Sequence, residues 1–376
     1  MVFQGGHSLR KTDNGRNYGI DLLRIVAIYM IIVLHVLYFG EVISPLSHFT
    51  PNYEAAVLVE IASYGSVNLF AIISGYVNFG KKTKYSNLMQ LYLQMLFYTV
   101  LCTFAFLLLQ PDMVSKQTII YSLIPFKIGQ YWYFTSFFCL FFFIPFINKF
   151  IDSSDRKNAA GLLIICFILF SLLTTVLYQD ISGVCNGYSF LWLAVMYMVG
   201  ACINKFDIHL KGNLCLVYYL ICIIATFAGK LSIEWITYMM IKQAKYGSLF
   251  VSYISPFIVF SSIFLFLFFK DLKLNQPSIH VVSFFAPTAF GVYLIHMEPL
   301  IKEWLINGRF RNYAFMPLPQ MIGCVLGTAL GILFVCSVAD RVRLEIFKLL
   351  KIKSLCEWIE NKIKVTIDSR FLSHFE

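Results

Sequence analysis

Long apolar stretches separated by short polar ones run along most of the chain. A helix needs about 20 apolar residues to cross the ~30 Å hydrocarbon core of a bilayer. Stretches that approach or reach this length lie at about 20–39, 55–79, 87–109, 131–150, 159–178, 188–204, 213–229, 248–269, 283–304 and 316–339. The sixth and seventh are short, and residues 231–241 either extend the seventh or lie at the membrane interface. The pattern predicts an all-α polytopic membrane bundle of about ten transmembrane helices.

Composition and charge placement agree with this pattern. Of the 376 residues, 59% are hydrophobic and only 13% are charged, whereas soluble domains have roughly 25% charged residues. The net charge of +10 could indicate a nucleic-acid partner, but it also fits a membrane protein with basic cytoplasmic loops. If the first stretch starts inside, most of the 30 Lys and Arg residues are on the inner side. The eight in outer loops are Lys116, Lys127, Lys230, Lys242, Lys245, Lys302, Arg309 and Arg311. We therefore expect both termini to be cytoplasmic, the lipid bilayer as a partner and no nucleic acid.

The chain divides into two predicted parts. Residues 1–340 form the transmembrane domain, and residues 341–376 form a cytoplasmic tail that mixes basic and apolar residues. Such a tail is typical of an amphipathic helix on the anionic inner leaflet. The ten cysteines are scattered without a C-x-x-C pair, so neither a metal site nor a disulfide framework is expected.

The first apolar stretch, "LLRIVAIYMIIVLHVLYFG" at residues 22–40, contains Arg24 and His35. An ionisable group at the bilayer centre costs at least ~2.5 kcal/mol, so such residues often carry function. Eleven helical residues turn ~20° beyond three full turns, which places both side chains on one face, ~16 Å apart along the axis. Asp21, one turn before Arg24, can pair with it. Alternatively, Arg24 is a snorkelling anchor and His35 only bonds a neighbouring helix.

Four segments together resemble the membrane-bound acyltransferase-3 family. They are "IDLLRIVAIYMIIVLH" (20–35), "GSVNLFAIISGYVNF" (65–79), "YWYFTSFFCLFFFIPFI" (131–147) and "FGVYLIHMEPL" (290–300). The first matches the family's arginine and histidine separated by ten residues, and the others match its G-V-x-x-F-x-x-x-S-G-Y, W-Y-F and Y-L-I-H segments. Members of this family transfer acyl groups, usually acetyl from cytoplasmic acetyl-CoA, to hydroxyls or amines of envelope molecules.

The resemblance implies catalytic roles for three residues. His35 would act as general base on the acceptor hydroxyl, or help to handle the acyl group. Arg24 would contact the donor's phosphates or hold the geometry of the site. His296, which ends the Y-L-I-H match, is expected at a depth similar to that of His35. Its alternative is a structural histidine near Glu298.

The resemblance also implies donor contacts on the cytoplasmic side. Relatives often carry an R-x-x-R pair after the second span, where this chain has "KKTK" with Lys81 and Lys84. Lysine can meet a phosphate as a point charge but lacks the bidentate fork of arginine. Ser74 is a further candidate for acetyl-CoA binding. Its alternative role is close helix packing together with Gly75.

Candidate acceptor contacts lie toward the outer side. Trp132 and Tyr133 could form a stacking surface for a sugar, or belong to an aromatic belt at the membrane interface. Asn68 and Glu298 are further candidates for substrate binding, and Asn68 stands where relatives frequently have proline.

Together these features predict an O-acyltransferase in a bacterial plasma membrane. Acetyl-CoA would be the donor, without a metal. The acceptor would be a hydroxyl of a cell-surface polysaccharide or its lipid-linked precursor. One alternative is a transporter or flippase of an envelope precursor, although no internal repeat is apparent. A non-catalytic membrane subunit would leave the Arg24 and His35 pair unexplained.

Overall fold

The computed structural model describes residues 16–180 and 182–372, and these residues form helices without a β-strand. The helices are α1 (Tyr18–Tyr38), α2 (Pro51–Tyr64), α3 (Ser66–Asn78), α4 (Tyr85–Leu109), α5 (Lys116–Leu123), α6 (Trp132–Ser153), α7 (Arg156–Cys166), α8 (Thr174–Leu177), α9 (Phe190–Lys205), α10 (Gly212–Ile241), α11 (Pro256–Lys270), α12 (Gln276–Phe285), α13 (Ala289–His296), α14 (Pro299–Leu305), α15 (Leu318–Leu349) and α16 (Ile352–Leu372).

The predicted all-α membrane bundle is confirmed. Within the described ranges, eight helical segments are long and apolar enough to cross a membrane, and α9 and α11 are shorter apolar helices. Three of the eight segments are composite: α2 with α3, α7 with α8 through a π-helical stretch, and α12 with α13. The ten segments correspond one to one to the ten predicted spans.

The surface of the bundle is apolar and its interior contains polar groups. Leu109, Phe146 and Met240 are each more than 70% exposed, whereas Asn68 and Asp340 are fully buried. In water this distribution would be unfavourable. In lipid it is the expected one, because polar side chains inside a membrane protein face the bundle interior.

Helix α1 lies at the centre of the bundle and contacts α2, α3, α11, α12, α13 and α15. Its start is fixed by Asn17, whose Oδ1 accepts from the backbone N–H of Ile20 at 3.1 Å. Asp21 in the first turn is favourable to the helix dipole. The helix that carries Arg24 and His35 is therefore surrounded by protein along most of its length.

Helices α3 and α9 approach each other through two glycines. A Cβ on Gly75 would lie 1.9 Å from the carbonyl oxygen of Tyr197, and one on Gly200 would lie 2.0 Å from that of Ile72. Only glycine permits such a close backbone contact. Gly75 therefore allows α3 to pack closely against α9, and this contact holds α3 in place next to Ser74.

Of the two alternatives for residues 231–241, the structure shows the first, because they extend the seventh span as part of α10. Two predicted boundaries were wrong. Helix α11 starts at Pro256 rather than at 248, because residues 250–255 form turns. Helix α15 continues ten residues beyond the predicted end at 339. It does so because Arg343 Nη2 pairs with Asp340 Oδ2 at 2.7 Å in the protein interior, so two charges there do not end the apolar segment.

The C-terminal helix α16 packs against α4. The carboxylate of Glu360 accepts from the backbone N–H groups of Tyr85 and Ser86, at 3.3 and 3.0 Å, and so caps the start of α4. Arg10 and Lys11, which count toward the basic inner side, lie outside the described residues, as do positions 373–376 of the predicted tail. The cytoplasmic orientation of both termini stays a prediction.

Candidate active site

Helix α1 presents Arg24 and His35 to the same internal cavity, which we call the central cavity. It has a volume of about 300 Å³, and most of its wall is apolar or aromatic. Ser74, Trp132 and Tyr133 line it as well. A concave, mostly apolar space with few polar groups is typical of a small-molecule site.

His35 is hydrogen-bonded to His296 across the bundle. His35 Nδ1 lies 2.9 Å from His296 Nε2, and His296 Nδ1 lies 2.5 Å from the carbonyl oxygen of Val292. A carbonyl can only accept, so His296 Nδ1 carries a proton. With both rings neutral, His296 Nε2 accepts from His35 Nδ1–H, which leaves the lone pair of His35 on Nε2.

This hydrogen-bond chain assigns different roles to the two histidines. His35 is half-buried and lines the central cavity, whereas His296 is only 1% exposed and lies behind it. His35 thus presents a basic nitrogen whose tautomer and ring orientation are set by His296. The pair is the arrangement that a general base requires.

A second cavity, which we call the basic cavity, adjoins the central cavity at Arg24. Its volume is about 750 Å³, and Arg16, Asp21 and Lys81 also line it. The Asp21 carboxylate is hydrogen-bonded to Arg24 and accepts from Arg16 Nε at 2.5 Å. Three cations and one carboxylate give this cavity an excess of positive charge. The Arg24 side chain remains 30% exposed although it is paired with Asp21.

A third cavity, which we call the aromatic cavity, adjoins the central cavity at His35 and Trp132. Its volume is about 560 Å³. The residues that line the aromatic cavity but not the central cavity are Tyr38, Phe39, Glu60, Tyr64, Gly129, Tyr188, Lys230, Ser248, Val251 and Lys302. Arg24 and His35 therefore stand at the two junctions of a series of three cavities.

The structure separates the two candidate lysines. Lys81 lines the basic cavity, whereas Lys84 precedes α4 and lines a groove formed with Glu357, Glu360 and Lys364 of α16. Lys84 is therefore next to the C-terminal helix and not beside Arg24.

Ser74 lines the central cavity, but its hydroxyl donates to the carbonyl oxygen of Phe70 at 2.9 Å within its own helix.

Asn68 is fully buried. It donates to the carbonyl oxygen of Tyr253 at 2.8 Å and accepts from Trp192 Nε1 at 2.9 Å. Its amide thus joins α3 to α9 and to the turn that precedes α11.

Glu298 lies apart from the central and aromatic cavities. Its carboxylate caps α14 by accepting from the backbone N–H groups of Leu300 and Ile301, at 2.8 and 3.0 Å. It lines a separate polar cavity with Thr99 and Ser122. His296 therefore has Val292 and His35 as its hydrogen-bond partners, rather than Glu298.

Trp132 lies at the junction between the central and aromatic cavities, and Tyr133 lines the central cavity. The Trp132 ring lies 4.5 Å from that of Tyr188 and 6.0 Å from that of Tyr253. These rings form a cluster inside the bundle, so Trp132 is more than a residue of an aromatic belt.

Sequence reasoning missed the charged groups of the aromatic cavity. Glu60 and Lys230 are at most 9% exposed. The sequence did contain a signal for these groups. It has a carboxylate inside the predicted span 55–79 and a Lys-x-x-x-Glu pair beside the seventh span, and such charges are unusual in lipid. Lys230 Nζ lies 3.0 Å from Glu234 Oε1.

These features define the class of protein: a multi-pass membrane protein with an internal site built on a histidine pair. A family model described as an acyltransferase domain matches residues 17–337. The chain thus belongs to the acyltransferase-3 family, and its activity is that of an acyltransferase. Neither a curated protein nor a solved structure matches the chain.

Proposed function

We propose that the protein transfers an acetyl group from acetyl-CoA to a hydroxyl of a cell-surface polysaccharide or its lipid-linked precursor, in a bacterial plasma membrane. The observation that carries the proposal is the position of His35, whose imidazole lines both the central and the aromatic cavity. A base at this junction can be reached by one reactant from the Arg24 side and by another from the Glu60 side.

The basic cavity supports an anionic donor. Arg16, Arg24 and Lys81 outnumber the single carboxylate of Asp21, and a guanidinium is well suited to phosphate. From Arg24 the central cavity continues to His35, ~16 Å along α1. This is comparable to the reach of the pantetheine arm of CoA, so a donor with its phosphates near Arg24 could present its thioester at His35.

In the proposed reaction, the acceptor hydroxyl attacks the thioester carbonyl. Its proton passes to His35 Nε2 as the new C–O bond forms. The C–S bond then breaks, and His35 returns the proton to the departing thiolate, which leaves as the CoA thiol. His296 holds His35 in the reactive tautomer and stabilises the transient imidazolium through the same hydrogen bond. Such a base contributes typically 10²- to 10⁴-fold to the rate.

The test uses membranes that contain the full-length protein, labelled acetyl-CoA and the envelope glycan of the host. The wild type should transfer label to the glycan, and His35→Ala should lower transfer by at least about 10²-fold. His280→Ala is the matched control, because His280 is exposed on α12 and bonds to the carbonyl oxygen of Gln276 in its own helix. Equal incorporation by wild type and His35→Ala would refute the assignment.

A second candidate function is transport of an envelope precursor, which the three adjoining cavities favour as a path along the bundle. The two functions differ in donor dependence. A transporter would move the precursor across vesicles without acetyl-CoA and would leave the precursor unlabelled, whereas an acetyltransferase would label it only when the donor is present.

A further inference from the structure

Glu60 is a buried carboxylate in the wall of the aromatic cavity, and it is 2% exposed. A charge in the interior of a membrane protein requires a partner or a function. Tyr38 donates to Glu60 Oε1 from the helix turn that follows His35. Glu60 is thereby connected to the same face of α1 as the histidine that acts as base.

The neighbouring acid, Glu234, is satisfied within the protein. Lys230 forms an ion pair with it at 3.0 Å, and the hydroxyl of Tyr53 donates to its two oxygens at 3.0 and 2.8 Å. Glu60, in contrast, receives its one described hydrogen bond from Tyr38. Of the two acids, Glu60 is the one that lines the cavity and retains capacity to accept from a ligand.

Aromatic rings line the same cavity as this carboxylate. The rings of Tyr188 and Tyr253 lie 5.0 Å apart, and Tyr64 lies 4.9 Å from Tyr253. Together with Trp132 they line the cavity. A pyranose ring offers C–H groups on its faces and hydroxyls around its rim. It therefore matches a pocket with aromatic walls and a small number of polar side chains.

The charges of the aromatic cavity nearly balance. Glu60 and Lys230 both line it, and Lys230 is already paired with Glu234. Lys302 Nζ lies 3.6 Å from the centroid of the Phe39 ring in a cation–π contact. The basic cavity, by comparison, has a clear excess of cations. This difference favours an uncharged ligand in the aromatic cavity over a phosphate or a carboxylate.

We propose that the aromatic cavity binds a neutral sugar residue of the acceptor, and that Glu60 accepts a hydrogen bond from one of its hydroxyls. Because Glu60 is coupled through Tyr38 to the helix turn of His35, this contact determines which other hydroxyl faces His35 Nε2. Glu60 is thus a specificity-determining residue. The inference rests on the proposed function for the meaning of the acceptor, but its binding step can be measured without transfer.

The first experiment measures binding to the purified full-length protein by calorimetry. The probes are methyl glycosides of glucose, its C2 epimer mannose, its C4 epimer galactose, and glucuronic acid. At least one neutral glycoside should bind, and the charged glucuronide should bind at least about tenfold more weakly. Glu60→Gln should lower the affinity for the neutral glycoside by about tenfold or more, because a hydrogen bond to a charged group is lost. Tyr38→Phe, which keeps the carboxylate, should have a smaller effect.

Glu54→Gln is the matched control, because Glu54 lies on the same helix α2 and outside the cavities described above. It should bind the glycosides as the wild type does. A dodecyl glycoside of the same sugar distinguishes a lipid-linked acceptor from a soluble one. Preference for it indicates the lipid-linked source, and equal affinity indicates the polysaccharide. Unchanged glycoside affinity in Glu60→Gln, or no binding by the wild type, would overturn the inference.

The second experiment measures transfer of label from acetyl-CoA to the preferred glycoside. Glu60→Gln should raise the KM for the glycoside and change the position of the acetylated hydroxyl, as read by NMR of the product. Acetyl-CoA affinity should stay unchanged. A wild type that binds the glycoside but acetylates neither it nor the host glycan would contradict the proposed function while leaving the sugar site intact.

Discussion

The basic cavity and the aromatic cavity adjoin the same central cavity, yet their chemistry is opposite. The basic cavity contains Arg16, Arg24 and Lys81 around one carboxylate. The aromatic cavity contains tyrosine and tryptophan rings around a nearly balanced set of charges. The difference supports the proposal of two different ligands, one anionic and one neutral, with His35 between them. It therefore favours the proposed two-substrate reaction over transport of one substrate through all three cavities.

The largest expected effect concerns His296, the hydrogen-bond partner of the residue that lies between the two cavities. His296→Leu should lower kcat by about 10²-fold, because His35 loses the partner that fixes its tautomer and position. The KM values for donor and acceptor should stay unchanged, since His296 lines none of the three cavities. His296→Gln should restore part of the rate through an amide oxygen that accepts from His35 Nδ1. Steady-state kinetics of the three proteins tests this, and equal kcat for Leu and Gln would contradict a positioning role.

The next effect should be confined to the basic cavity. Arg24→Ala should raise the KM for acetyl-CoA by about tenfold or more, the expected cost of losing a charged hydrogen bond. The KM for the acceptor should stay constant. Arg309→Ala, at an exposed position, is the matched control. If donor affinity is unchanged while activity falls, Arg24 holds the geometry of the site instead of binding phosphate.

A smaller effect sharpens the boundary of the basic cavity. Lys81→Ala should raise the KM for acetyl-CoA a few-fold and reduce its dependence on salt, because one cation near the donor is lost. Lys84→Ala should leave donor affinity unaffected, since Lys84 faces α16. Comparable losses in the two variants would place the donor across both lysines and contradict the division that the cavities indicate.

The smallest effect concerns α16 itself. Burial raises the pKa of Glu360, but hydrogen bonds from Lys364 and from the Ser86 and Tyr85 amides outweigh it and lower the pKa to about 2. An unfolded glutamate titrates near 4.3. The stabilisation by Glu360 is therefore fully present above about pH 4.3 and is lost as the pH falls toward 2. Pepsin should cleave the tail faster as the pH decreases over this range.

Glu360→Gln tests the same contact at neutral pH. It should speed trypsin cleavage at Lys362 and Lys364, while donor and acceptor affinities stay unchanged. Glu357→Gln is the control on the same helix, because Glu360 rather than Glu357 receives the backbone hydrogen bonds of α4. Equal protection of all three proteins would show that Glu360 does not hold α16 in place.

The number of spans could be predicted from the sequence because lipid selects for long apolar helices. Their ends could not be predicted from apolarity alone, since α10 and α15 include charged residues that pair within their own helix and contact neighbouring helices. Asp340 is one of these, with Arg343, Tyr98 and Gln94 around its carboxylate. Apolar periodicity has no information about such partners.

The candidate site was predictable where a single helix carries it. Arg24 and His35 share a face because eleven residues complete three turns. The bond between His35 and His296 spans 261 positions, so the sequence could indicate similar depth but not contact. The charge of Glu60 inside a predicted span was visible in the sequence, but its position in the aromatic cavity was not, because α1, α2, α6, α10 and α14 form that cavity together.

The hydrogen-bond chain behind His35 ends at the carbonyl oxygen of Val292, an atom that cannot take up and pass on a proton. A proton that reaches His35 Nε2 must therefore depart from the same nitrogen on the same turnover. In the proposed reaction the proton is thus held at one nitrogen of His35 and has no exit through His296. The histidine pair is therefore a dead end for protons on the side of His296, and proton exchange is confined to the cavities that His35 lines.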